Sequence, residues 1–319
     1  MHGWIVLDKP LGLGSTQGVS AVKRALRQGG YGKLKVGHGG TLDPLATGVL
    51  PIAIGEATKL AGRMLDSDKV YDFTIAFGIE TDTLDLEGKA VAESDVRPTV
   101  EQIDAVLPRF TGAIEQVPPA YSALKVDGER AYDLARAGEE VALATRHVTV
   151  HSLTRHPGLV PGSAAPQAGS PVETQIPGQA RDDERVDEAT LTAHVSKGTY
   201  IRSLARDIAR ALGTVGHVTY LRRIKAGPFD LSHAISLDKL DEAAKGPTLE
   251  QYLLPLRAGL DDIPALALDP DQAGALRQGR VLVGIAKDDG LHFATLGDTP
   301  VALVEVTSGE ARVVRGFNL

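Results

Sequence analysis

The stretch from Lys35 to Leu60, KVGHGGTLDPLATGVLPIAIGEATKL, constrains this chain more than any other. Every residue from Leu45 to Ile54 is uncharged, and such a run reads as buried. Just ahead of it stands an acid, Asp43, approached by Gly37, Gly39 and Gly40 and followed by Pro44. Glycine lets a backbone turn sharply or come close to a ligand, and Asp-Pro favours turn initiation. An acid on a tight loop that feeds a buried segment is one way to present a carboxylate in a cleft. Taken alone, the same pattern reads first as an ordinary turn.

At 319 residues the chain is long enough for two domains and a sizeable core. Its apolar share of 43% and charged share of 24% are those of a soluble globular protein. No run approaches the about 18 apolar residues of a membrane span. The N-terminal MHGWIVLDKP lacks the basic start and apolar core of a signal peptide, so the expected compartment is the cytoplasm. With no cysteine, disulfides, thiol nucleophiles and Cys-ligated zinc are excluded. A net charge of −7 argues against a protein that meets nucleic acid on every side. The bases are nevertheless clustered. Between Ser196 and Gly227 lie Lys197, Arg202, Arg206, Arg210, Arg222, Arg223 and Lys225 against Asp207 alone, and Lys23, Arg24, Arg27, Lys33 and Lys35 form a second group. A charge run by itself is usually a solvated face; beside a nucleic-acid site it becomes an electrostatic footprint.

Along the chain, Gly3 to Asp8 is a short apolar strand, and Ser15 or Thr16 can cap a helix with Val19, Val22 and Leu26 on one face and Gly29 at its end. From Lys69 to Phe77 the residues Tyr71, Phe73, Ile75 and Phe77 alternate with Asp72, Thr74 and Ala76, the period of a half-buried strand. Thr99 and Gln102 predict a capping box before Ile103, Val106 and Leu107, closed by Pro108. His147–Leu153 and Ala189–Ser196 read as strands. Between them Arg155–Asp187 is rich in proline and glycine without an apolar period, which predicts a disordered surface insertion with no catalytic role, a lid over bound RNA being the alternative. Ile201 to Leu212 reads as a helix stopped by Gly213, with Ile201, Leu204, Ile208 and Ala211 inward and Arg202, Arg206 and Arg210 along one side. Ser236 caps a further short helix. The tail, 256–319, holds short β-like runs separated by turns such as Asp289-Gly290 and Ser308-Gly309, the pattern of a small β-barrel.

The run GHGGTLDPLATGVLPIAIGEATK resembles the signature of bacterial tRNA pseudouridine-55 synthases. The likeness continues in order through LDKPLG at 7–12, KVYDFTIAFGIETDTLDLEG at 69–88, PPAYSALKVDGERAYDLARAG at 118–138, SKGTYIRSLARDIARALG at 196–213 and LRRIKAGPF at 221–229. It covers most of residues 1–255. Gly39, where relatives often carry threonine, and Val195, where many carry cysteine, are departures, as is the 155–187 insertion.

The resemblance implies an α+β catalytic domain over 1–255 with a mixed, largely antiparallel sheet, and a PUA-like RNA-binding barrel over 256–319. It implies isomerisation of uridine 55 in the T stem-loop of tRNA, by a monomer, without cofactor or metal. That reaction breaks the N1–C1′ bond, turns the uracil and rejoins it through C5, and it calls for one ionised carboxylate, which the resemblance assigns to Asp43. A carboxylate taken out of water tends to gain a proton, and a neighbouring guanidinium favours the ionised form; the resemblance gives that part to Arg202 of KGTYIR. Tyr71 would stack on the flipped base, worth roughly 1–3 kcal/mol. His38 would meet the RNA loop, Leu221 would line the pocket, and Lys9 and Tyr200 would position loop and pocket. Arg206, Arg210, Arg222 and Arg223 would form the RNA-binding surface. A non-catalytic tRNA-binding chaperone is the rival reading, to which the joint presence of Asp43, Tyr71 and Arg202 is opposed. A phosphate-binding loop at 37–40 is opposed by the absence of Gly-Lys-Ser/Thr after it.

Overall fold

The structure is a computed structural model that describes residues 1–122, 124–126, 129–137, 143–156, 185–246 and 248–319. They form two compact units: Met1–Pro44, Gly48–Asp66 and Lys225–Leu319 make up the first, and Leu45–Thr47 with Ser67–Ile224 the second. No helix among the described residues is long and apolar enough to cross a membrane.

In the first unit, β1 (Gly3–Lys9) pairs antiparallel with β3 (Thr47–Ile54) from Gly3 opposite Ile54 to Lys9 opposite Gly48. The short strand β2 (Val36–His38), which leads into the Asp43 loop, also pairs with β3, His38 opposite Ile52. The uncharged run is therefore an interior strand, buried from Gly48 to Ile54. Pro51 lacks an N–H but still contributes its carbonyl, which accepts from Gly39 N at 2.8 Å. Helix α1 (Ser15–Gln28) buries Val19, Val22 and Leu26 as its period requires. Its cap is Gly14 rather than Ser15 or Thr16: Gln17 Oε1 accepts from Gly14 N at 2.7 Å. Ser15 is occupied elsewhere, as described below.

In the second unit, strands run in the order Gly216–Ala226, β4 (Lys69–Phe77), Glu188–Val195, Arg146–Arg155, Gly112–Gln116. We label the remaining four in chain order β5 (Gly112–Gln116), β6 (Arg146–Arg155), β7 (Glu188–Val195) and β8 (Gly216–Ala226). The β4–β7, β7–β6 and β6–β5 pairs are all antiparallel. Phe73, Ile75 and Phe77 of β4, with Leu191, Ala193 and Val195 of β7, build a core against Ile201, Leu204, Ala205 and Ile208 of helix α3 (Ile201–Ala211); Ala211 lies at its rim. Helix α2 (Val100–Val106) carries the predicted capping box, with Thr99 N to Gln102 Oε1 at 2.9 Å and Gln102 N to Thr99 Oγ1 at 3.2 Å. Pro108 does not stop it at once; a 3-10 turn follows through Phe110.

Residues 157–184 of the predicted insertion lie outside the described residues. Its ends are firmly placed, contrary to the breadth given to it. Arg155 belongs to β6 and binds Asp104 through two 2.8 Å hydrogen bonds, Val186 N donates to Pro98 O at 2.9 Å, and Asp187 accepts from Arg97 at 2.8 Å.

Returning to the first unit, Ser236 caps helix α4 (Leu237–Ala243) through Lys239 N. The tail forms a five-stranded sheet. In chain order its strands are β9 (Ala265–Ala267), β10 (Leu282–Val283), β11 (Gly290–Leu296), β12 (Thr299–Thr307) and β13 (Glu310–Gly316), arranged β9-β11-β12-β13-β10. Ser308 and Gly309 both take positive φ, 51° and 77°, as a two-residue hairpin turn requires. This half-barrel resembles a PUA-like domain. It shares a core with β1 and β3: Phe293, Leu303 and Phe317 cluster with Trp4, Val6, Val49 and Ala53.

Candidate active site

Asp43 stands on a loop whose backbone is fastened at several points. Lys9 is fully buried and its Nζ donates to three carbonyls, Leu13 O at 2.6 Å, Pro10 O at 3.1 Å and Pro44 O at 3.2 Å. Gly12 N also donates to Pro44 O, at 2.9 Å. On the other side of Asp43, Leu42 is clasped by Ser15: Leu42 N donates to Ser15 Oγ at 2.8 Å and Ser15 Oγ to Leu42 O at 3.0 Å. Both neighbours of the acid are thus pinned to the β1–α1 connection, and Asp43 itself is half-buried between them. Gly40 takes φ +140°, open in practice to glycine. Gly39 is needed for space: a Cβ there would come 2.6 Å from Met64 Cβ. His38 closes β2 at the start of the same loop and is half-buried.

Arg202, the second residue of α3, lies in the other unit, is 7% exposed, and is held by its side chain. Its guanidinium donates to Thr83 O at 2.8 Å, to Asp85 Oδ2 at 3.2 Å and to Tyr121 O at 3.1 Å. Asp85 is fixed in turn, its Oδ1 accepting from Thr83 Oγ1 at 2.5 Å and from Glu87 N at 3.1 Å. The turn carrying it is sharp enough that Leu84 adopts φ +61°. Tyr200 is the N-cap of α3. Its backbone is gripped by the buried Gln116, which accepts from Tyr200 N at 2.8 Å and donates to Tyr200 O at 3.0 Å. Tyr121 reaches Asp82 across 3.5 Å; burial first, and then the Asp82 charge, raise its phenol above the ordinary value.

Tyr71 and Leu221 sit at the rim of the core beneath α3, half-buried and leaning on it. The basic group between 196 and 227 departs from a plain solvated face. Arg206 bonds Asp207 at 2.8 Å and Val117 O at 3.1 Å, with 13% of its side chain exposed. Arg210 makes a two-pronged pair with Glu80, at 2.7 and 3.2 Å, yet remains exposed. Arg222 is half-buried near Thr47. Arg223 is 1% exposed: as the strand alternates, one of two adjacent arginines turns inward. Asp85 and Gln116 were not singled out in the sequence. Asp85 lies inside the TDTLD run of a matched motif, which was the available signal; nothing local marks Gln116.

Residues 24–157 match the TruB family pseudouridylate synthase N-terminal domain, and residues 202–261 the tRNA pseudouridylate synthase B C-terminal domain. Among curated proteins, the tRNA pseudouridine synthase B of Novosphingobium aromaticivorans is 65% identical over the whole of this chain and 98% of its own length. That of Zymomonas mobilis is 59% identical over the whole chain and 96% of its own. The fold is also that of a chain in an H/ACA ribonucleoprotein bound to a substrate RNA containing 2'-deoxyuridine, with a TM-score of 0.69 at 23% identity, covering 99% of this chain and 85% of that one. With this identity across nearly the full length of both relatives, the chain belongs to the TruB family of pseudouridine synthases.

Proposed function

We propose that this protein converts uridine 55 in the T loop of tRNA to pseudouridine, with Asp43 as the catalytic carboxylate. The observation that carries the reading is the near full-length identity with relatives named tRNA pseudouridine synthase B. The fastened loop supports it, since a carboxylate on a loop tied on both sides loses little freedom when substrate arrives. In this reading the uridine is turned out of the RNA, Tyr71 stacks on it, and Leu221 and Tyr200 border its pocket. Arg202 supplies the cation that favours an ionised carboxylate. His38 contacts the RNA loop, Lys9 positions the Asp43 loop from within the protein, and Arg206, Arg210 and Arg222 meet the backbone. The T stem-loop suffices as substrate and one chain suffices as enzyme.

The test is incubation of the protein with unmodified tRNA and mapping of pseudouridine by position. Modification at position 55 is expected, and Asp43→Asn should slow it by more than about 10³-fold, a loss of over ~4 kcal/mol of transition-state stabilisation, with tRNA affinity nearly unchanged. A non-catalytic tRNA chaperone would instead refold tRNA equally well with either protein and form no pseudouridine.

A further inference from the structure

We propose that Asp68, His151 and His194 form a binding site for a divalent transition-metal ion, of which Zn²⁺ is the best fit, outside the residues assigned to the reaction. Asp68 Oδ2 lies 3.1 Å from His151 Nε2 and 3.7 Å from His194 Nε2, and one donor atom from each residue falls within 4.8 Å of the other two. The imidazole rings stand side by side, centroids 4.7 Å apart and tilted by 45°. An ion with bonds of 2.0–2.2 Å in tetrahedral geometry asks for donors about 3.4 Å apart, so this cluster needs only small adjustment to close around one.

The backbone explains why the three meet. His194 of β7 pairs opposite Val70 of β4 and opposite Ser152 of β6. Asp68, two residues before Val70, falls on the same face as the diagonal neighbour of His194. The β6 ladder shifts register between Val150 and Ser152, and His151 is the extra residue there. A bulge re-aims the side chain it carries, and here it brings His151 beside His194. By alternation this is the face of β4 opposite the one carrying Tyr71. A neighbouring group on that face, His156, Thr192 and Asp72, is organised differently: the Thr192 hydroxyl donates to Asp72, which lies 3.9 Å from the imidazole.

The donor set selects the ion. Two imidazoles and a carboxylate are borderline ligands that suit Zn²⁺, Co²⁺ or Ni²⁺, whereas Mg²⁺ and Ca²⁺ prefer oxygen alone. The side chains are 37%, 47% and 42% exposed for His151, Asp68 and His194, so an ion can enter from solvent and complete its shell with water. Once bound it would tie the lead-in to β4 to both β6 and β7.

The experiment uses the full chain with any affinity tag removed. Zn²⁺ binding is followed by calorimetry, Co²⁺ binding by its visible absorption, and the melting temperature is read with and without Zn²⁺. One ion per chain is expected, with a rise in melting temperature on saturation. Loss of even an outer-shell partner weakens a metal site about 10–100-fold, so His151→Gln, His194→Gln and Asp68→Asn should each cost at least that. All three groups are part-exposed, and each variant should fold as wild type does. His147→Gln, on the same strand with its side chain 84% exposed, should leave binding intact, and excess Mg²⁺ should not compete. No binding by wild type, or unchanged binding in the His151→Gln, His194→Gln double variant, would mean that the cluster is a histidine–carboxylate ion pair and overturn the site.

Discussion

Around Asp43 it is the backbone that is held, by Lys9, Ser15 and Gly12, whereas at Arg202 it is the side chain, by Asp85 and two carbonyls. The first arrangement fixes where a carboxylate stands through bonds made by its neighbours' main-chain groups. The second fixes a guanidinium directly, using a charged partner in a place with little water. The two should therefore fail differently. Damage to the anchors of the acid should loosen a loop and the fold around it; damage to the partner of the arginine should misplace one charge in an otherwise intact protein.

Lys9→Met gives the larger expected effect. It removes a buried ammonium and leaves the carbonyls of Pro10, Leu13 and Pro44 short of a donor, at about 1 kcal/mol for each bond lost, so about 3 kcal/mol in all. Denaturant unfolding should show that loss, and turnover should fall with it. Full stability with lost turnover would instead put Lys9 in contact with RNA. Asp85→Asn comes next. It keeps the shape and a hydrogen-bonding oxygen but discharges the ion pair, for which about 1.5–3 kcal/mol is the scale of a charge-assisted bond. Single-turnover pseudouridine formation should drop about 10–100-fold while tRNA affinity stays close to wild type. A drop in affinity with an unchanged rate would show that Arg202 serves binding only.

What was legible in the sequence follows the reach of each interaction. The Thr99–Gln102 box, the Ser236 cap and the alternation of β4 are local, three residues or fewer apart, and appear in the structure where the pattern put them. Ser15 is the instructive failure. A serine at a helix start reads as a cap, but its hydroxyl is spent on Leu42, a partner only the fold brings near. The i, i+4 spacing of Arg202, Arg206 and Arg210 was equally plain, while their partners Asp85, Val117 and Glu80 come from distant segments, so the stripe read as more exposed than it is. Arg223 looked like its neighbour Arg222 and differs from it only by facing the other side of a strand. The candidate acid and arginine were reached through long motif matches; their supports, Asp85 and Gln116, needed the tertiary structure.

Gly39 sharpens the comparison on the acid's side. In this chain a Cβ at position 39 would sit 2.6 Å from Met64 Cβ. Gly39→Thr should cost about 1–3 kcal/mol, as overpacking does, and lower turnover by shifting the Asp43 loop. Met64→Gly, which removes that Cβ, should be destabilising alone and should recover part of the Gly39→Thr loss in the double variant. Simple additivity of the two changes would show that the residues do not share that space.

The smallest effect expected concerns Glu56, which follows β3 in the same unit. Burial pushes its carboxyl upward, but the ion pair with Lys59 at 2.7 Å and the hydrogen bond from Asn318 N at 2.8 Å outweigh it, and the net shift is downward. A carboxylate whose folded value is depressed contributes stability above its unfolded value and loses it as the pH falls through the folded one. The seat of the C-terminal residues, where Lys59 also donates to Gly316 O, should therefore weaken only below the ordinary carboxylate range. The amide resonance of Asn318 should titrate there in wild type and stay constant in Glu56→Gln. Near neutral pH the variant should melt slightly below wild type, and as the pH falls below the ordinary carboxylate range the gap should narrow. A gap that stays the same as the pH falls would mean that the charge of Glu56 does not hold the tail and that shape alone does.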